Sequence, residues 1–219
     1  MDYNIISEIS PQDPISETYR ILRTNIEFST IDKDVKLINI TSSKPSEGKT
    51  LTLLNLATVY SHSSKRVLIV DLDLRRPKIH RAFSIDNTTG ITDVIMGEVT
   101  LEDATYKHSK FLDVLTSGSK TPYPVEMLNS QKMKDLMEKL KDKYDIVFID
   151  CPPLNILSDS IIISKFSEGT VVAIRNNFTE RKLIKKVLHT LEENNVNTIG
   201  TVLIDVKKKD LDYSSYSYY

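Results

Sequence analysis

The chain has 219 residues, with 29 Lys and Arg against 30 Asp and Glu and a formal net charge of −1. That balance excludes the broad basic field of a protein whose default partner is nucleic acid. Its single cysteine, Cys151, excludes an internal disulfide framework and fits a reducing, cytoplasmic compartment.

No apolar run approaches the roughly 18 residues that span a bilayer, and the start, MDYNIISEIS, is too polar for a signal peptide. Membrane association is therefore expected only through a partner. The length suits one large α/β domain, and no stretch reads as a linker between two. His62, His80, His108 and His189 lack the spacing of a zinc site and read as surface or packing residues.

The first element begins at Asp13-Pro14, an N-cap followed by proline at the first helical position, and predicts a helix over 13–28. Ile15, Tyr19, Leu22 and Ile26 form its apolar stripe. Glu17, Arg20, Arg23, Thr24 and Glu27 take the rest of the circumference, with a Glu17–Arg20 pair three residues apart.

Leu37, Ile38 and Ile40 form a short apolar run of strand type, and Ser43 to Thr50 then matches the P-loop pattern, with Ser43 at its first glycine position. From Leu51 the apolar residues Leu51, Leu54, Ala57, Val59 and Tyr60 recur at helical spacing. The loop is thus expected to end on a helix N-terminus, whose free N–H groups and dipole favour phosphate. In that setting Gly48 admits a close backbone approach, Lys49 reaches the β/γ-phosphates and the Thr50 hydroxyl ligates Mg²⁺. Lys44, Ser46, Glu47 and Leu51 complete the expected nucleotide-binding stretch.

Val67 to Val70 is a fully apolar strand ending in Asp71, and Asp73, Arg75, Arg76 and Pro77 follow. A loop and a short helix are expected over 85–99, and a strand over Phe111 to Leu115. Met133, Leu136, Met137 and Leu140 mark the core face of a helix. Ile146 to Ile149 is a strand ending in Asp150, where a Walker B aspartate would hold Mg²⁺. Cys151, beside two prolines, reads as a small residue in a tight turn. Strands over Thr170 to Ile174 and Thr198 to Ile204 flank a helix from about Thr179, with an expected stripe of Leu183, Ile184, Val187, Leu188 and Leu191.

Strands alternating with helices predict right-handed βαβ units, hence a doubly wound, mostly parallel sheet of the P-loop NTPase type. Ligands bind beyond the carboxyl ends of such strands, where the P-loop, Asp71 and Asp150 all fall.

The chain ends KKKDLDYSSYSYY. Tyr213, Tyr216, Tyr218 and Tyr219 alternate with serine and have no aliphatic residue to pack against. Frayed termini are usually poor in aromatics, so these four read as phosphoryl acceptors on a flexible tail, 207–219, behind a single domain over 1–206. A stacking platform for single-stranded nucleic acid beside Lys207 to Lys209 lacks a wider basic groove, and no nucleic-acid partner is expected.

With DLDLRRP and FIDCPP beside the P-loop, the chain resembles the bacterial protein-tyrosine kinases of capsule and exopolysaccharide synthesis, which use Walker motifs. The resemblance covers nearly the whole chain. It rests on E-x-x-R-x-x-R (Glu17, Arg20, Arg23), Walker A, D-x-D-x-R (Asp71, Asp73, Arg75), Walker B at Asp150 and the terminal tyrosines. It implies an ATP- and Mg²⁺-dependent tyrosine autokinase acting between subunits, with Asp71 as base and metal contact, Asp73 its helper, and Asp150 and Thr50 as metal ligands. It further implies ring-shaped self-association through the N-terminal helix when the tail is unphosphorylated. A separate transmembrane activator, a polysaccharide co-polymerase, would hold the kinase at the inner face of the membrane, and a cognate tyrosine phosphatase would reverse its action.

Two departures stand out. Ser46 replaces a glycine of the family's P-G-E-G-K loop, at roughly 1 kcal/mol if that position needs positive φ. Lys44 stands where partition and division-site ATPases carry a lysine that crosses a nucleotide-sandwich dimer, which keeps such a dimeric ATPase as the alternative. A nucleotide-binding scaffold without catalysis is the third reading.

Overall fold

The computed structural model describes residues 4–155 and 158–206. Among these, β1 (Leu37–Ser42), β2 (Val67–Asp71), β3 (Thr105–Lys107), β4 (Leu112–Leu115), β5 (Ile146–Asp150), β6 (Gly169–Arg175) and β7 (Thr198–Ile204) form one sheet in the order β3-β4-β2-β5-β1-β6-β7. Every neighbouring pair is parallel except β3–β4. The central strands are buried on both faces, which is why they read as continuous apolar runs instead of alternating ones.

Successive residues of those strands feed opposite layers. On one face Ile38, Ile40, Val67, Ile69, Ile146 and Phe148 pack with α2 (Pro14–Ser29) and α3 (Lys49–His62). On the other, Leu37, Leu68, Val70, Val147 and Ile149 pack with α5 (Ile91–Met96), α7 (Pro124–Asn129), α8 (Gln131–Lys143) and α9 (Asp159–Phe166). The helix α10 (Arg181–Glu193) closes the end of the sheet over Val172. Short helices α1 (Ile6–Ile9), α4 (Ile79–Ala82) and α6 (Leu101–Ala104) complete the described chain.

The strands over 170–174 and 198–204, the α8 face and the start of α2 lie as the sequence predicts. Asp13 caps α2 by accepting the Ile15 N–H at 2.7 Å. Three details differ. Ile15, in the first turn of α2, is 52% exposed, whereas Ile26 is buried. In α10 only Val187 and Leu191 are buried and Leu188 is exposed, since the helix rests at the margin of the sheet over β6. The helix α3 is buried on nearly every side, because α1 and α2 cover the face that the sheet does not. The Ser7 N–H fixes α1 there by donating to Asn55 Oδ1 at 2.9 Å.

Candidate nucleotide-binding site

Parallel register sets the site. Asp71 at the end of β2 stands beside Asp150 at the end of β5, and Asp150 beside Ile40 of β1, two residues before that strand ends. The three carboxyl ends expected to converge therefore do so.

The loop from Ser43 to Gly48 joins β1 to α3, and Glu47 fixes its shape. The Glu47 carboxylate is buried and accepts the Ser43 and Lys44 N–H groups at 2.7 and 3.1 Å. It also takes the hydroxyls of Ser43 and Thr179, each at 2.7 Å. Ser46 and Gly48 are left-handed, at φ 67° and 83°. Ser46 therefore carries the strain of roughly 1 kcal/mol that a glycine would avoid. At Gly48 the backbone conformation favours glycine, and a Cβ there would lie 2.9 Å from Ile204 Cδ1, a side-chain tip that would have to shift.

Lys49 and Thr50 open α3 and turn toward the carboxylates. Lys49 Nζ lies 3.1 Å from Asp150 Oδ1 and 3.7 Å from Asp73 Oδ2, and the Thr50 hydroxyl donates to Asp150 Oδ2 at 2.8 Å. Burial works against the Lys49 ammonium, yet Asp150 and Asp73 outweigh it and raise its pKa above the ordinary value. Asp71 is fully buried. Its carboxylate accepts N–H bonds from Asp73 (3.1 Å), Lys78 (2.9 Å) and Ile79 (3.0 Å). Burial first, then the charge of Asp150, pushes the Asp71 carboxyl up to about 7, against the pull of those amides and of Lys49. Burial also raises Asp73, with Lys49 opposing.

Three carboxylates thus share one ammonium in a low-dielectric corner, a donor set short of positive charge. Among the described residues no group of three or more His, Cys, Asp or Glu side chains forms a closed metal site. The surplus of carboxylate over ammonium suits Mg²⁺, which takes one or two protein carboxylates together with phosphate oxygens and water. Thr50, Asp71 and Asp150 fit that role.

The remaining expected residues are distributed as follows. Leu51 is half-buried on α3, and Lys44 Nζ sits 4.1 Å from the centroid of the Phe178 ring, a cation–π contact within its own chain. Cys151 is buried behind Asp150, and burial pushes its thiol up, so it is inert. Glu17 and Arg20 pair at 2.6 Å on the outer surface of α2, while Arg23 turns inward and donates to the Val59 carbonyl at 3.3 Å. Tyr213, Tyr216, Tyr218 and Tyr219, with the whole stretch 207–219, lie outside the described residues.

Sequence reasoning passed over Arg175, Thr179 and Asp205. The Thr179 hydroxyl, besides bonding Glu47, accepts the Arg175 N–H at 3.0 Å. The available signal was positional, since the carboxyl end of β6 lies on the same ligand-binding edge. Asp159 was also passed over. It opens α9, is buried, and holds Arg75 of the D-x-D-x-R motif at 2.7 Å.

A family model described as AAA domain matches residues 35–204. The chain is 38% identical over 220 residues to tyrosine-protein kinase YwqD of Bacillus subtilis, covering 100% of this chain and 92% of that protein. To tyrosine-protein kinase ptk of Acinetobacter johnsonii it is 34% identical over 211 residues, which is 95% of this chain but 29% of that longer protein. The solved kinase domain of Escherichia coli tyrosine kinase ETK superposes with a TM-score of 0.90 at 30% identity, over 99% of this chain and 86% of that one.

Proposed function

Given that the chain belongs to the bacterial tyrosine-protein kinases, we propose that it transfers the γ-phosphoryl group of ATP to Tyr213, Tyr216, Tyr218 and Tyr219 of another copy of itself. The observation that carries this reading is the meeting of Lys49, Asp71, Asp73 and Asp150 beside the P-loop.

Lys49 exchanges Asp150 for the β/γ-phosphates when nucleotide enters, and the Ser46, Glu47, Gly48 and Thr50 backbone presents N–H groups to the same phosphates. Thr50, Asp71 and Asp150 would hold Mg²⁺, which would supply positive charge against that of the phosphate oxygens. A phenol of pKa about 10 is protonated at neutral pH. Asp71, at the carboxyl end of β2 beside Asp150 and the P-loop, is placed to take that proton as the tyrosine oxygen bonds to phosphorus and the bond to ADP breaks. Asp73 keeps Lys49 oriented during the exchange.

The wider role follows the family. The kinase acts in capsule or exopolysaccharide synthesis, as an oligomer contacting through the outward-facing Glu17 and Arg20, with Arg23 bracing the same helix from within, and is opposed by a tyrosine phosphatase. Among the described residues no helix is long and apolar enough to cross a membrane. The relative ptk carries the matching module as 29% of its length. Activation by the cytoplasmic segment of a separate transmembrane protein belongs to the same proposal and rests on the likeness to the capsule kinases.

The test mixes two proteins with γ-labelled ATP: Lys49→Met with its tyrosines intact, and an active chain with phenylalanine at the four terminal tyrosine positions. Label on the Lys49→Met partner is expected. Release of free phosphate alone would favour the dimeric ATPase, and label confined to other tyrosines would remove the tail as acceptor.

A further inference from the structure

The P-loop is fastened from a side that no Walker motif includes. Arg175, the last residue of β6, spreads its guanidinium between two elements. Nε and Nη2 both meet Asp205 Oδ2, at 2.8 and 2.7 Å, while Nη1 donates to the Ser46 carbonyl at 3.3 Å. Asp205 directly follows β7 and is itself left-handed, at φ 63°, and Ile204 before it packs on Gly48.

Ser46 is the residue that needs such a hold. It occupies a conformation that suits glycine, and its carbonyl shares one peptide with the Glu47 N–H, which belongs to the phosphate cradle. A non-glycine residue there carries a backbone cost that surrounding contacts can offset. The Glu47 carboxylate fixes the loop on one side of that peptide, and Arg175 supplies a donor on the other. Lysine could not replace it, because a single ammonium lacks the planar fork that engages Asp205 and Ser46 at once.

We propose that Arg175, oriented by Asp205, is a positioning residue for ATP, holding the Ser46 peptide so that the P-loop is shaped before nucleotide arrives. The proposal rests on the P-loop being the ATP site. Arg175 acts on the loop and not on the transferred group, so its loss weakens ATP binding and spares turnover. Its contribution depends on the strain at position 46.

Four proteins test this: the wild type, Arg175→Ala, Ser46→Gly and the double variant. The readouts are the KM for ATP in tyrosine labelling and the Kd of a fluorescent ATP analogue. Arg175→Ala alone is expected to raise both constants about five- to tenfold, with kcat changed less than about twofold. In the Ser46→Gly background the same change should raise them less than about twofold, the non-additivity expected of coupled residues. Arg175→Lys should stay near the alanine value, and Asp205→Asn should move the constants in the same direction by less. Equal effects of Arg175→Ala in both backgrounds, or a loss confined to kcat, would overturn the proposal. Tight analogue binding that ignores Arg175 overturns it alone, whereas a wild type that binds no analogue overturns the ATP site as well.

Discussion

At the scale of single residues, Lys49 shows how a site residue also becomes a structural one. Its side chain is 6% exposed and its nearest partner, Asp150, is 0% exposed, so the ammonium balances carboxylates that water cannot reach. Removing one partner of a buried pair costs about 3–5 kcal/mol, because the other charge is left uncompensated. Lys49→Met is therefore expected to abolish tyrosine labelling and also to lower the Tm by on the order of 10 °C; an unchanged Tm would mean that Asp150 is neutral or rehydrated in the variant.

Asp71 gives the opposite sign. Its folded carboxyl titrates at about 7, above the ordinary 3.8, so the folded chain binds more protons than the unfolded one between those values. Its stabilising share is complete below about 4 and is lost as pH rises to about 7. In nucleotide- and Mg²⁺-free protein, wild-type stability should fall relative to Asp71→Asn over that window. Parallel pH profiles of the two proteins would exclude the raised pKa. The residues of this corner were legible because Gly48, Lys49, Asp71 and Asp150 sit in local patterns tied to strand ends. Arg175, Thr179 and Asp205 were not, because they reach the loop only through the β6–β7 register, and no short-range spacing encodes that.

At the scale of elements, the regular pieces were readable where one physical rule dominated. Met133, Leu136, Met137 and Leu140 are all buried because α8 has one face to the core and one to water. Rules conflict elsewhere. The helices α1, α4 and α6 have four residues each, too few for a period to show. The strand β3 has three residues and pairs at an edge, so its neighbours decided it.

The helix α2 divides the E-x-x-R-x-x-R motif in two. Glu17 and Arg20 face outward, and Arg20 also donates to the Pro11 carbonyl at 3.0 Å. Arg23 instead ties α2 to α3 through Val59. Glu17→Ala with Arg20→Ala should reduce self-association and change stability by less than about 1 kcal/mol, the worth of an exposed pair. Arg23→Ala should destabilise the chain by about 1–2 kcal/mol through the lost charged hydrogen bond and packing. Denaturant melts beside sedimentation separate the two effects. If Arg23→Ala dissociates the protein without loss of stability, the inward placement does not govern its role.

At the scale of the whole molecule, a parallel sheet gathers acidic strand ends at one edge, and that concentration of charge has a consequence for assembly. In the proposed oligomer an unmodified tyrosine tail would carry little charge against Asp71, Asp73 and Asp150 of a neighbour, and assembly would present it there at high effective concentration. Phosphorylation changes this. Each phosphotyrosine adds about −1.5 to −2, so four add roughly −6 to −8 to a chain whose formal net charge is −1. Repulsion between the modified tail and the acidic edge then opposes the contact that made transfer efficient, and α2, with only a surface ion pair in its outward motif, has little to hold copies together against it. Phosphorylation is thus expected to dissociate the oligomer. Light scattering on unmodified and fully phosphorylated protein at the same concentration should give a smaller mass for the second. Raising the salt should narrow the difference, since screening shortens the reach of the repulsion to within about 10 Å at 0.1 M. Equal masses at low salt would show that the tail's charge does not control assembly.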